Sequence, residues 1–346
     1  MKNKIRGPQV IIGLFLFIMI ITSYFIGMDM TLLFNESLIK FAMNGVLVLS
    51  LIPMLNGGVG MNFGLPIGIT AGLVGMCISL NLKLTGIMGF LVALLFGSII
   101  GIILGFLYGI ILNNVKGKED IAGTFIGFSF IPLMNYFWTL APFTNRKMLY
   151  PIGGKGLRPR IGLGPFFEGV LDNLWVINIG RIQIPLGLLL FYVFLCLCIY
   201  LFFKSTKGRG IIAIGENEDF AHLSGLDINK SRIEAVIMST VIASIGIVVY
   251  AQSYGFLELY NGPLMMAFPA VSAILIGGSM GRRTFISYAI VGTYLFQSIY
   301  LLSVPIANEL LLPEISEIFR MIIANSIILY ALLKRKGPYT YEKGRV

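Results

Sequence analysis

GRGIIAIGENEDFAHLSGLDINKSR, residues 208–232, is a polar stretch between two apolar runs near 184–203 and 233–255. A run of about 20 apolar residues spans a bilayer. Both neighbours reach that length, so the polar stretch reads as a membrane-surface loop between two spans. It is patterned rather than loose. Ile211, Ile214, Phe220, Leu223 and Leu226 recur at roughly helical spacing among Glu216, Glu218 and Asp219, and Gly225 stands where a helix C-terminus favours glycine. A short surface helix is expected. Ser231-Arg232-Ile233-Glu234 has the spacing of a capping box and is expected to start the next span.

The rest of the chain extends this reading. Its 346 residues are 57% hydrophobic and 12% charged, with a mean hydropathy of +0.88, against roughly 25% charged residues in a soluble domain. That composition is polytopic membrane protein. No polar stretch is long enough for a separate nucleotide-binding or catalytic domain, and no GxxxxGK[ST] phosphate loop occurs. Gly58 and Gly60 lack the third glycine, the strand and the acidic partner of a dinucleotide loop. The uncharged run at 8–28 follows Lys2, Lys4 and Arg6 and is expected to be a retained first helix. Cys77, Cys196 and Cys198 fall in apolar spans, where packing is their expected role. The lone His222 has no ligand cluster beside it, so no metal site is expected.

Spans near 8–28, 40–55, 60–82, 85–113, 121–141, 184–203, 233–255, 263–280, 285–304 and 318–333 give ten crossings. Most of the 26 basic residues then cluster on the side of the termini, at 2–6, 116–118, 204–232, 282–283 and 334–345. Cytoplasmic loops retain Lys and Arg, so both termini are expected in the cytoplasm and the +10 net charge reports orientation rather than nucleic-acid binding. The exception is the loop near 142–183, which carries Arg146, Lys147, Lys155, Arg158, Arg160 and Arg181 on the expected external side.

Glycine is dense at 57–75 and 97–109, where small residues at three- and four-residue spacing let membrane helices approach closely. Asn56-Gly57-Gly58, Asn62 and Pro66 also interrupt an apolar stretch with no charged loop. A helix broken at membrane depth is expected there, buried or facing a cavity. The other half holds a comparable interruption, ELYNGPLMMAFP at 258–269, followed by Ile276-Gly277-Gly278. Paired broken segments point to a transport site. A polar solute moving between cavities needs weak contacts from amides, hydroxyls and aromatics, and Asn44, Asn56, Asn62, Phe63, Thr124, Phe128, Phe268 and Ser272 are the candidates. The alternative for each is helix packing or an interhelical hydrogen bond.

Residues 206–230, TKGRGIIAIGENEDFAHLSGLDINK, resemble the membrane-spanning permeases of bacterial ABC importers, in the ribose-permease-like branch that serves simple sugars, nucleosides and branched-chain amino acids. That family carries a basic-glycine turn and an A-x-G-x-N-x-x-A-A-x-x-S-G-I pattern, matched by Ala213, Gly215, Asn217, Ala221, Ser224, Gly225 and Leu226, with Phe220 at the first paired alanine. Gly57-Gly58-Val59-Gly60-Met61-Asn62 sits where sugar-type members carry a GGIDLS-like run, and Gly60 replaces its acidic residue. FPAVSAILIGGSMGRRT at 268–284 resembles the family's A-x-x-x-G-G segment and Gly-Arg turn.

The resemblance implies one all-α permease domain over 1–346 in the bacterial inner membrane, with about ten transmembrane helices, broken helices in both halves and a cytoplasmic coupling loop near 204–232. Gly215, Glu216, Asn217, Glu218, Ala221, Ser224 and Gly225 would form the coupling helix that docks on an ATP-binding cassette subunit. ATP and Mg would bind that subunit, with no cofactor on this chain. The other implied partners are a second permease, identical or different, an extracytoplasmic solute-binding protein and membrane lipid, and the solute is a simple sugar or nucleoside, or a branched-chain amino acid. The rival is an ion-coupled secondary carrier. Such carriers need ionisable residues within the membrane, and the expected spans are nearly free of carboxylates. No carboxylate pair or His/Cys cluster supports an embedded enzyme.

Overall fold

The computed structural model describes residues 7–151, 154, 156–279 and 283–310, together with Ile318, Ile322 and Ser326. Apart from Ile318, Ile322 and Ser326, the expected span at 318–333 lies outside the described residues, as do the basic clusters at 2–6 and 334–345, Lys155 and the Gly281-Arg282 turn.

Among the described residues, seven helical segments are long and apolar enough to cross a membrane: α1 (Gly7–Ile26), α2 (Met30–Leu49) continued with a bend at Ser50 by α3 (Leu51–Asn56), α5 (Gly86–Asn114), α6 (Glu119–Leu140), α7 (Leu186–Lys204), α10 (Ile228–Tyr254) and α12 (Ile286–Leu310). Two shorter apolar helices, α4 (Leu65–Asn81) and α11 (Gly262–Ile276), follow the two interruptions. Between α7 and α10 lie α8 (Thr206–Glu216) and α9 (Glu218–Leu223).

Several boundaries depart from the sequence reading, each for a local reason. The second span starts at Met30 rather than near 40, because Asp29 caps it. The Asp29 carboxylate accepts from the backbone N–H of Thr31 at 2.9 Å and Leu32 at 3.3 Å, and the bonds from Leu32 and then Thr31 hold its carboxyl below the usual carboxylate range. The polar residues in the span's first half are used by neighbours. Asn35 Oδ1 accepts from the Gln183 N–H at 3.1 Å and the Ser37 and Ser298 hydroxyls bond at 3.0 Å. The polar stretch after α7 forms two helices rather than one. Asn217 is extended (φ −155°, ψ 104°) and its side chain caps α9 through the Phe220 N–H at 3.0 Å. Helix α10 begins at Ile228, three residues before the expected capping box, because the Asp227 carboxylate accepts from the Lys230 N–H at 3.0 Å.

The fold is not purely helical. Strand β1 (Arg160–Gly162) pairs antiparallel with β4 (Phe256–Glu258), and β2 (Val176–Ile179) forms a hairpin with β3 (Ile182–Pro185), which runs directly into α7. The expected external loop is therefore ordered against the ends of α2 and α10.

The centre is built by α4, α5 and α10. Gly97, Gly101, Gly105 and Gly109 recur every four residues along one face of α5, where added Cβ atoms would meet Ser244, Val241, Ile237 and Ile233 of α10. Lipid tails are as apolar as the side chains, so close packing rather than burial from water holds such helices together. The glycine stripe brings the two backbones within range of it.

Candidate translocation and coupling site

The first interruption is a genuine break. Helix α3 ends at Asn56, residues 57–64 form no helix, and α4 resumes at Leu65 with Pro66 in its first turn. Gly58 (φ +68°) and Gly60 (φ +93°) take left-handed conformations that a side chain rarely adopts. A buried break needs partners for its freed backbone groups, and side chains of α6 and α10 reach two of them, the Met61 N–H and the Gly58 carbonyl.

Asn56 makes the first connection. Its Nδ2 donates to the Thr284 carbonyl at 3.1 Å, and its Oδ1 accepts from the Thr284 N–H at 2.7 Å. This backbone-like pair joins the residue before the break to the segment between α11 and α12. Asn62 donates through Nδ2 to Ser239 Oγ at 2.8 Å, and Ser239 donates to the Ser50 carbonyl at 2.6 Å. Tyr108 stands 3.5 Å from Asn62 Oδ1. Both amides are buried and bonded between helices.

The other candidate path residues are placed differently. Asn44, Thr124 and Ser272 bond back to the carbonyls four residues earlier in their own helices, Lys40, Asp120 and Phe268. Phe128 of α6 and Phe268 of α11 face one another with ring centroids 5.9 Å apart, and each is about two-fifths exposed. Phe63 is half-buried beside the break.

On the α8–α9 side the break meets the surface helices backbone to backbone. A Cβ on Gly58 would lie 2.9 Å from the Gly215 Cα, and one on Gly215 would overlap the Asn56 carbonyl. Glycine at both positions is what permits this approach. Two exposed ion pairs flank it, Lys116–Glu218 at 2.9 Å and Arg283–Glu216 at 3.7 Å, each worth little in water. Helix α9 closes as the sequence suggests. Gly225 is left-handed (φ +77°), its N–H reaches the His222 carbonyl and the Leu226 N–H reaches Ala221. Ser224 Oγ donates to the Phe220 carbonyl. Ala221 is buried, whereas Phe220 is 63% and Leu223 86% exposed. Two large apolar side chains thus project from an otherwise polar surface element.

Sequence reasoning missed a buried cluster next to the break. Arg232 pairs with Glu119, and its guanidinium also donates to Asn113 Oδ1 at 3.1 Å and towards the Gly58 carbonyl at 3.4 Å. Asp120 Oδ1 accepts from the Met61 N–H at 2.7 Å and fills the space a Cβ on Gly60 would take. Glu119 and Asp120 were expected just outside a span starting at 121, but they form the first turn of α6, where carboxylates are favoured by the helix dipole. The available signal was an arginine directly before one apolar run and an acidic pair opening another. Among the described residues, no group of three or more His, Cys, Asp or Glu side chains could hold a metal ion.

A family model described as the permease component of the branched-chain amino acid transport system matches residues 11–331. The chain is 28% identical over 155 residues to the probable ABC transporter permease protein YphD of Escherichia coli (strain K12), a match covering 43% of each chain. It is 26% identical over 250 residues to the autoinducer 2 import system permease protein LsrD of Salmonella typhimurium (strain LT2), covering 72% of this chain and 67% of LsrD. The LsrD of Salmonella typhi matches over the same extent. No solved structure is significantly similar.

Proposed function

The chain belongs to the family of branched-chain amino acid transport system permease components and is an ABC-importer permease subunit, and from that premise we propose that α8–α9 is its ATPase-docking element and that the broken segments border the solute path. The observation that carries this reading is the two-sided character of α8–α9. Its inner face touches the break through Gly215 and Gly58, while Phe220 and Leu223 project outward, exposed among the described residues. An element that docks on a moving subunit and displaces a membrane segment needs both faces.

In this reading ATP is hydrolysed by separate cassette subunits that bind it with Mg. Gly215, Glu216, Asn217, Glu218, Ala221, Ser224 and Gly225 shape or support the docked element. A second permease, identical or different, completes the path, and an extracytoplasmic solute-binding protein delivers the solute. The chain sits in the bacterial inner membrane with ten spans and both termini inside. A cysteine replacing Lys147 should then react with an impermeant thiol reagent added outside intact cells, while one replacing Lys118 should react only after permeabilisation. The reverse pattern rejects the topology.

The solute is proposed to be small, polar and uncharged overall, a simple sugar or nucleoside. The Phe128–Phe268 pair offers flat ring faces suited to stacking on a base or sugar face, and Arg232 and Glu119 near the break are already paired to each other. The family description favours a second reading, a branched-chain amino acid. Binding of ribose, inosine and leucine to the purified solute-binding protein distinguishes them.

The docking assignment has a direct test. Buried aromatic and aliphatic anchors at interfaces contribute about 2–4 kcal/mol each when they act as hot spots, so Phe220→Asp with Leu223→Asp should cost at least about thirtyfold in ATPase affinity. The pair lies on the exposed face, so the permease itself should remain folded. Undiminished co-purification of the ATPase subunit with the double variant would remove α9 from the interface.

A further inference from the structure

Residues 57–61 are held at three points on the side facing α8–α9. Arg232 reaches towards the Gly58 carbonyl at 3.4 Å, Asp120 accepts the Met61 N–H at 2.7 Å, and the Gly58 backbone rests on Gly215 of α8. The first two contacts share one support. Arg232 is ion-paired to Glu119, the residue adjacent to Asp120 at the start of α6, and its Nε donates to Asn113 near the end of α5. The pair is buried, with side-chain exposures of 5% and 10%.

We infer that Arg232, Glu119 and Asp120 form a clamp that fixes the broken segment to α6 and α10, so that motion of α8–α9 displaces residues 57–64 as a unit. This inference deepens the coupling reading and rests on it. The physical case concerns stiffness. Beyond the turn that closes α3 through the Gly57, Gly58 and Val59 N–H groups, a segment with two left-handed glycines would absorb a push by local rearrangement of its own dihedrals. The charge-assisted bond from the Met61 N–H to Asp120 removes that freedom at one point, and the Arg232 guanidinium 3.4 Å from the Gly58 carbonyl adds a weaker hold at another. Arg232 also stands at the start of the second turn of α10, five residues after Asp227 caps that helix. The chain between α9 and Arg232 is therefore short, and the clamp joins the surface helices to the break through α10 as well as through Gly215. These are positioning residues, acting through the backbone they hold.

The clamp has a readout that can be separated from simple loss of stability. In a chain carrying Cys77→Ala, Cys196→Ala and Cys198→Ala, Phe63→Cys provides a single probe in the break. With the complete complex in proteoliposomes, N-ethylmaleimide labelling of that probe should differ at least fivefold between the nucleotide-free and ATP–vanadate-trapped states. Replacing the pair by apolar residues, Glu119→Leu with Arg232→Met, leaves no lone buried charge. In that double variant the difference should fall below twofold while the ATPase subunit still co-purifies. Asp120→Ala, which frees the Met61 N–H by the other route, should also bring the difference below twofold. General destabilisation would also compress the ratio, by raising labelling in both states, so the double variant's thermal midpoint is measured beside it and should stay at the reference value, as expected when both partners of a buried pair are replaced. A fivefold difference retained in the double variant overturns the clamp. No difference in the reference chain overturns the clamp together with the coupling reading beneath it, and the two failures are told apart by which protein shows them.

Discussion

Gly105→Leu should be among the most destabilising single substitutions in this protein. A Cβ at Gly105 would lie 2.9 Å from the Ile237 Cα and 3.0 Å from the Thr240 Cβ, so its neighbour is the α10 backbone and cannot swing aside. Overpacking of this kind costs about 1–3 kcal/mol and occasionally more. Alanine at the same site should fall near the lower end and leucine at or beyond the upper. Because the unfolding entropy grows with chain length, each kcal/mol is worth about 1.4 °C in a chain of 346 residues, and Gly105→Leu should lower the thermal midpoint in detergent by about 4 °C or more. Gly13→Leu is the control. Nothing lies within 4 Å of a Cβ there, and a change of less than about 0.5 kcal/mol is expected. Equal midpoints for the two leucine variants would show that the glycine stripe does not set the α5–α10 approach.

Arg232→Ala should be the most damaging charge substitution. It strands the Glu119 carboxylate in a buried site and removes the donors to Asn113 and Gly58. Breaking a buried pair by deleting one partner costs about 3–5 kcal/mol, whereas replacing both partners by apolar residues is often close to neutral. The single variant should therefore give a lower thermal midpoint and less monodisperse protein than Glu119→Leu with Arg232→Met. Such non-additivity is what contacting residues show. A double variant less stable than the single one would contradict the account of the pair as a desolvated unit.

The chain by itself determined a great deal. The lengths of its apolar runs gave a membrane protein with a surface element between 204 and 232, because a bilayer fixes how many apolar residues a helix must offer. Gly225 marked the end of α9 through its left-handed φ, which is a local property of one residue. The Gly-Gly and Asn-Gly-Pro interruptions located the places where α3 gives way to α4 and where α11 begins, since they act on their own backbone. The four-residue glycine spacing on α5 announced a close helix neighbour without naming it.

Only the tertiary structure decided which groups meet across sequence distance. That α10 is the neighbour of the α5 glycines, that Asn56 bonds Thr284, and that Gly58 rests on Gly215 are relations between residues far apart in the chain. No periodicity encodes them. The same holds for Arg232. In the sequence it is one more basic residue near a membrane boundary, yet folding buries it against Glu119 and turns it toward the broken segment. Asn56 and Asn62 likewise read as polar groups near a break, and the fold ties both of them between helices. The reason is physical: a helix cap, a left-handed glycine or an apolar span is fixed by neighbours in sequence, whereas the partner of a buried polar group is fixed by packing, and in a membrane-embedded break every freed backbone group must find one.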